Sequence, residues 1–401
     1  MADFHAMHVM EALRSGVPSR AVGAYFSDAR PGMLNKIQTR MAAVKATGKS
    51  EGMIFRGSYG EGKTHMLNTV FNMASEANMV VSYVSLGKET PMNMPHLLYA
   101  RIIANTYLPG TEQPGFRQKL EEMGPGSGAA GELQAYAATS LETNKIYHVL
   151  KAMWETQEEE EREQFLADLE GDFVSVAQVK RVFRRVTGKP AQFNQNFTKT
   201  KHCGDYFAFM STFFRKVGYA GWVILFDEAE LVGRLGKKAR AKSYSAMQGF
   251  LRPPARLEAV FSLFAFSTSF TEEVIDKKHE FENVENIFAE DPTALKAAKA
   301  TLNDVINSTE LASLSRTEII RILESIEIFH GKAYDWEPQI EPEIIYTSTE
   351  GAGYLLRTRI RAAIELLDQL YQYGEAGKIK IAQLGKESFE EDAPLLPEGE
   401  W

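Results

Sequence analysis

Only one cysteine, Cys203, occurs among the 401 residues. The chain can therefore form no internal disulfide and no cysteine-based zinc site, and a reducing compartment, the cytoplasm, is expected. No run approaches the ~18 apolar residues that a membrane-spanning helix needs. The opening residues, MADFHAMHVMEALRSG, have neither a long apolar core nor a cleavage site, and their spacing suits a short amphipathic helix. Positive charge is not in excess: 45 Lys and Arg face 53 Asp and Glu, a net charge of −8. That excludes a protein coated in basic charge, though not a local basic patch. Two further absences are local. Leu231 to Arg256 has no Asp or Glu, yet contains Arg234, Lys237, Lys238, Arg240, Lys242, Arg252 and Arg256. Leu257 to Ser315 has no arginine, only the lysines Lys277, Lys278, Lys296 and Lys299. A lysine is a point charge and cannot make the two-pronged contact of a guanidinium with a phosphate.

What is present begins with MIFRGSYGEGKTHM, Met53 to Met66: a short apolar strand, a glycine-rich turn and the first turn of a helix. Gly57, Gly60, Gly62, Lys63 and Thr64 satisfy the phosphate-loop spacing G-x-x-x-x-G-K-[ST]. Glycines let the backbone wrap a phosphate with its N–H groups inward, and the following helix presents its positive end to the same anion. Gly57, Ser58, Tyr59, Gly60, Glu61, Gly62, Lys63, Thr64 and His65 are thus candidate nucleotide-binding residues. Lys63 would meet the β- and γ-phosphates, and the Thr64 hydroxyl would ligate Mg²⁺.

Along the chain, helices are predicted over residues 4–14, after Val17-Pro18-Ser19-Arg20 as far as Ala29, over 33–46 and over 65–78. MVVSYVSL, Met79 to Leu86, reads as a buried parallel strand, completing a strand–helix–strand unit. Residues 95–218 read as mostly helical, with no convincing central strand and a flexible break at Gly124–Gly128. Within them Glu158 to Glu161 reads as a solvated helix face, Val179 to Arg185 is basic on alternating turns, and Lys199, Lys201 and His202 follow.

GWVILFDEAE, Gly221 to Glu230, is a third apolar strand, ending in two carboxylates. Like charges side by side at a strand end are costly as packing. They make sense as a magnesium ligand, Asp227, beside a base, Glu228, that orients and deprotonates water. The acid-free 231–256 stretch is a candidate phosphate-contacting region through Arg234, Lys237, Lys238, Arg240 and Lys242, or else a solvated face. AVFSLFAFSTS, Ala259 to Ser269, is a fourth strand whose hydroxyl end, Ser267 to Ser269, would line the ligand crevice or form a turn. Thr309 to Leu314 reads as the last core strand. Ser315 with Glu318 suits a capping box for a helix over 316–329. Leu355 to Tyr371 reads as an amphipathic helix that places Arg357 and Arg361 on one face and Arg359 elsewhere. Lys378 to Ile381 reads as a small strand, and the acidic tail from Glu390 as disordered.

This order of motifs resembles the AAA+ ATPases, in particular the origin-recognition and Cdc6-like clade. GVPSRAVGAYFSDAR followed by GSYGEGKTHML, with RTRIRAAIELLD near the end, resembles the BREX-associated ATP-binding proteins of bacterial phage-defence islands. The resemblance implies an α/β fold, a P-loop NTPase with a five-stranded parallel sheet and a C-terminal helical lid, within which the helical residues 95–218 read as a large insertion. The implied division is an N-terminal helical segment (1–50), an AAA+-like core (51–314, insertion about 95–218), a lid (315–375) and a tail (376–401). It implies ATP and Mg²⁺, a polar sensor at Ser267 or Thr268, and Arg357 as the lid arginine at the γ-phosphate. Gly353 is offset from the family's position, which keeps Arg359 open. It places Val17 to Arg20 where relatives cradle adenine. The implied partners are DNA, a helicase or methyltransferase of a defence system, and further copies of the chain; no membrane is expected. Two features depart from the family: the insertion is long, and no winged-helix domain follows the lid. AAA+ assemblies complete each site with an arginine from the neighbouring subunit just before the last core strand. The arginine-free 257–315 stretch therefore implies a slow ATPase when alone, with Arg316, Arg252 and Arg256 as alternative donors. A nucleotide-gated module with little or no hydrolysis, and a small-molecule kinase, are the rival readings.

Overall fold

The computed structural model describes residues 3–15, 22–23, 30–350 and 356–375. The expectations for most of 17–29, for Gly353, for the 378–381 strand and for the tail lie outside the described residues.

Six strands form one sheet: β1 (Glu51–Gly57), β2 (Val80–Ser85), β3 (Thr106–Tyr107), β4 (Trp222–Asp227), β5 (Val260–Ser267) and β6 (Thr309–Glu310). Their spatial order is β3-β2-β4-β5-β1-β6, and every pairing is parallel except β2 with β3. The expected five-stranded parallel sheet therefore gains an antiparallel edge strand inside the region read as helical. Two residues are too few to show a period of two, so β3 left no pattern in the sequence. β6 is also shorter than expected, because only Thr309 and Glu310 pair with Phe55 and Arg56 before Leu311 N–H closes on the Arg56 carbonyl at 2.7 Å.

All six residues of β4 and all eight of β5 are buried, as continuous apolar runs in a parallel sheet demand. Strand alternation sends Met53, Phe55, Val81, Val223, Leu225, Phe261 and Leu263 to one face. There the helices Pro31–Thr47 and Lys63–Glu76 cover them. Ile54, Ile224, Phe226 and Phe264 point the other way, under the helices Pro95–Ala104, Lys199–Lys216, Lys237–Leu251 and Pro292–Ile306. The Phe226 and Phe264 rings stack with centroids 4.2 Å apart. Helices Arg117–Met123, Gly128–Thr139, Lys145–Glu155, Glu159–Ala167 and Val176–Thr187 extend this same apolar core, so the insertion is packed onto the sheet.

The two described helices of the first 50 residues pack in different places. Phe4–Ser15 joins Arg316–Tyr334, Pro342–Thr349 and Leu356–Tyr373 in a separate small core built on Val9, Met10, Leu13, Leu323, Ile326 and Leu367. The predicted capping box is present: Glu318 N–H donates to Ser315 Oγ at 3.3 Å and Ser315 N–H to Glu318 Oε2 at 2.8 Å. Such a cap stabilises a helix by about 1 kcal/mol. Arg14 Nη2 reaches Asp368 Oδ1 at 2.8 Å and fastens the first helix to the last.

Candidate functional site

β1 runs into the glycine loop, and the loop turns into helix Lys63–Glu76. Gly60 (φ 77°) and Gly62 (φ 92°) hold left-handed conformations that L side chains rarely adopt. A Cβ at Gly57 would lie 2.9 Å from Leu311 and 3.3 Å from the Lys63 side chain. No side chain caps the helix and no acid occupies its first turn, so its free N–H groups and positive end are left for an anion. The loop is held in shape from outside. Arg30 Nη1 donates to the Glu61 carbonyl at 2.6 Å and its Nε to the Ala312 carbonyl at 2.9 Å. Within the loop, Ser58 N–H donates to Glu61 Oε2 at 3.0 Å, and Ser58 Oγ sits 3.2 Å from Thr268 Oγ1.

β2 and β4 are paired so that Ser85 lies beside Asp227. Two hydroxyls of β2 thereby reach the two carboxylates. Tyr83 Oη donates to Asp227 Oδ2 and Ser85 Oγ to Glu228 Oε2, each at 2.6 Å. Burial and the Asp227 carboxylate push the Tyr83 phenol well above its ordinary range, so it remains a donor. Asp227 is buried, whereas Glu228 is exposed and takes a left-handed backbone (φ 51°) that swings it out of the strand line. Glu230, one 3₁₀ turn on, folds back toward the loop. Its Oε1 lies 3.5 Å from Lys63 Nζ, which also donates to the Gly57 carbonyl at 3.2 Å.

These groups face one cavity of about 410 Å³, within the range of small-molecule sites. Tyr59, Gly60, Gly62, Lys63, Thr64 and His65 line it from the loop, and Ser85, Asp227, Glu228 and Glu230 from the strand ends. Leu13 and Val22 with Ile322, Leu356 and Ile360 close an apolar side from both ends of the chain, and Arg357 brings a guanidinium to the same wall. The cavity thus offers a polar, cation-bearing half and an apolar half.

Of the two lid arginines left open by the sequence, Arg357 lines the cavity. Arg359 is buried, with its guanidinium 4.4 Å above the Tyr346 ring. Ser267 is buried beside Gly57 in the β1–β5 register, 2.8 Å from Ser269 Oγ, and is not among the cavity-lining residues. Gly57, Ser58 and Glu61 support the loop from behind. Arg240 requires a correction. It is buried rather than surface-facing, paired with Glu280 at 2.9 Å and bonded to the Leu235 carbonyl at 2.7 Å, because helix Lys237–Leu251 turns that face onto helix Glu280–Ile287. Arg234 is half-buried, and Lys237, Lys238 and Lys242 are exposed. The three alternative arginines are engaged within the chain: Arg252 with Asp304, Arg256 with Glu142 at 3.0 Å, and Arg316 with Glu343 at 2.7 Å.

Sequence reasoning missed Arg30, Tyr83, Ser85 and Glu230. Only Glu230 left a local signal, since a turn three residues beyond Asp227 returns a side chain to the same side. No metal-binding cluster of His, Cys, Asp or Glu occurs among the described residues. A site with one carboxylate and one hydroxyl, Asp227 and Thr64, is the sparse oxygen set used by Mg²⁺ when phosphates and water supply the rest.

No curated protein sequence is similar enough to match the chain. The family model described as BREX system ATP-binding protein BrxC/D matches residues 3–122 and 134–384, and with nearly all of its length covered the chain belongs to that family.

Proposed function

We propose that the protein is an AAA+-like ATPase that binds ATP with Mg²⁺, hydrolyses it slowly when alone, and acts on DNA or a DNA-processing partner in prokaryotic phage defence. The observation that carries this reading is the convergence of Lys63, Thr64, Asp227, Glu228 and Arg357 on one cavity from three distant parts of the chain. The uncapped helix end and the glycine loop would take the β- and γ-phosphates, with Lys63 exchanging the Gly57 carbonyl and Glu230 for phosphate oxygens. Thr64 and Asp227 would hold Mg²⁺, which neutralises charge on the phosphates. Glu228 takes the proton of the attacking water, and its exposure beside a buried Asp227 supports that division of labour. Arg357 meets the γ-phosphate from the lid, and the apolar lining of Leu13, Val22, Ile322 and Leu356 suits a base. Family membership supports the defence context, and a helicase or methyltransferase partner and a self-assembled form belong to the same proposal. No helix of the described residues is long and apolar enough to cross a membrane, in keeping with work in the cytoplasm.

One observation favours nucleotide-gated binding as the second reading. The base Glu228 is held by Ser85 and the cation Lys63 by Glu230, so both are engaged before ligand arrives. Glu228→Gln keeps the shape and removes the base. Calorimetry should show ATP still bound, while phosphate release falls about 10²–10⁴-fold. Unchanged turnover in this variant would move the base elsewhere, and no turnover in the parent with or without DNA would leave the gated module.

A further inference from the structure

Helix Val176–Thr187 and the loop after it carry charge of one sign only. Between Asp172 and Asp205 there is no Asp or Glu, yet Lys180, Arg181, Arg184, Arg185, Lys189, Lys199 and Lys201 all lie there, in a protein of net charge −8. Every one of those basic residues is exposed. The helix buries Val179, Val182 and Phe183 against the insertion, which turns Lys180, Arg181 and Arg184 outward together. Lys180 Nζ lies 5.4 Å from the Phe193 ring centroid, and this contact folds the loop back onto the helix. Among the described residues only Arg185 of this set has a carboxylate partner, Glu161.

The acid-free 231–256 stretch behaves otherwise. Three of its seven basic residues, Arg240, Arg252 and Arg256, are taken up by Glu280, Asp304 and Glu142, whereas among the described residues only one of the seven in the Lys180–Lys201 set is paired in this way. Like charges left unpaired on one helix face repel one another and gain most from a polyanion that releases its counterions. The aromatic rings nearby do not offer stacking platforms for single strands: Phe183 is buried, and Phe193 and Phe197 are half-buried. A row of long, flexible cations without such platforms matches phosphates of a duplex backbone.

We propose that the Val176–Lys201 surface of the insertion is a DNA-duplex contact, made through Lys180, Arg181 and Arg184 with Lys189, Lys199 and Lys201 beside them. It deepens the reading that the protein works on DNA and rests on that reading. The test uses the full chain and a fluorescein-labelled random-sequence duplex, with anisotropy measured across a salt series. Lys180→Gln/Arg181→Gln/Arg184→Gln should weaken binding at least about tenfold and flatten the salt slope by about 2.7, or 0.9 for each lost phosphate contact. Its ATP turnover without DNA should match the parent's. Lys237→Gln/Lys238→Gln/Lys242→Gln should bind like the parent. Equal affinity and slope in the Lys180 triple variant would overturn the surface assignment while leaving DNA binding intact. Failure of the parent to bind at low salt would overturn the DNA reading and this one together. Competition by poly-glutamate as effective as by unlabelled duplex would also overturn it, since the surface would then be a site for acidic protein.

Discussion

Two lysines in this protein are buried against carboxylates, and their surroundings differ. Lys145, at the start of helix Lys145–Glu155, is fully enclosed. Its Nζ donates to Asp168 Oδ1 at 2.6 Å and to Tyr206 Oη at 2.9 Å, and Tyr206 in turn donates to Asp168 Oδ2 at 2.7 Å. The Phe197 ring seals it at 4.3 Å. Lys63 is 7% exposed and faces a cavity. Its ion pair is longer, 3.5 Å, and its remaining contact is one carbonyl at 3.2 Å. Burial is similar; the difference lies in how fully each ammonium is satisfied. A buried charge with complete, short partners has nothing to gain from a ligand, whereas one with long contacts at a cavity wall can exchange them.

The comparison breaks most visibly at Lys63. If Lys63 meets the phosphates as proposed, Lys63→Ala should abolish measurable ATP binding in calorimetry, with a smaller loss of stability than opening the Lys145 pair, because Lys63 and Glu230 both line the cavity. ATP affinity equal to the parent's would end the assignment. At Lys145 the expected pattern is reversed. Asp168→Ala leaves an uncompensated ammonium in the insertion and should cost about 3–5 kcal/mol in denaturant unfolding. Replacing both charges, as Lys145→Met with Asp168→Leu, should recover most of that loss. A double variant as unstable as the single would show that the pair does more than satisfy its own burial.

The intermediate case is Glu230, which belongs to the cavity and yet pairs with Lys63. Glu230→Gln removes a carboxylate that competes with phosphate for the same ammonium. ATP should bind about fivefold tighter, roughly 1 kcal/mol. Weaker binding would mean that Glu230 holds Lys63 in its working position, and the contrast with the Lys145 pair would narrow.

The same contrast explains what the sequence could reveal. The glycine loop and Asp227-Glu228 are contiguous motifs that depend on local spacing, so their place beside one cavity was legible. So were the capping box at Ser315 and the separation of Arg357 from Arg359 on one helix, since helical periodicity fixes both. Tyr83 and Ser85 were not legible, because their roles come from β2 lying beside β4, a pairing across about 140 residues of chain that no local pattern encodes. The Lys145–Asp168–Tyr206 cluster was invisible for the same reason. Asp168 follows the acidic run Glu158 to Glu161, of which Glu158 to Glu160 lie in solvent while Glu161 is half-buried against Arg185. Arg240 was misplaced because charge composition does not say which helix face meets a neighbour, and Glu280 lies 40 residues away.

The smallest expected effect concerns the tie between the two ends of the chain, which close the apolar side of the cavity. Trp336 Nε1–H donates to His330 Nδ1 at 2.9 Å, so the neutral His330 ring carries its proton on Nε2, 3.0 Å from Asp368 Oδ1. Arg14 binds the same carboxylate. Burial alone would raise the Asp368 pKa, but the His330 hydrogen bond and the Arg14 charge outweigh it and hold the carboxyl below its usual value. A depressed folded pKa means the unfolded chain binds the proton more readily. The tie therefore contributes fully above about pH 3.9, the ordinary aspartate value, and is lost as the pH falls through the lower folded value. Because Asp368 is only partly enclosed, solvent screening keeps the effect small. Acid titration of the parent, followed by near-ultraviolet circular dichroism around the Trp336 cluster, should show this step, and Asp368→Asn should lack it. An identical acid transition in Asp368→Asn would place the tie in the apolar packing of Val9, Met10 and Leu13 against Leu323 and Leu367 instead.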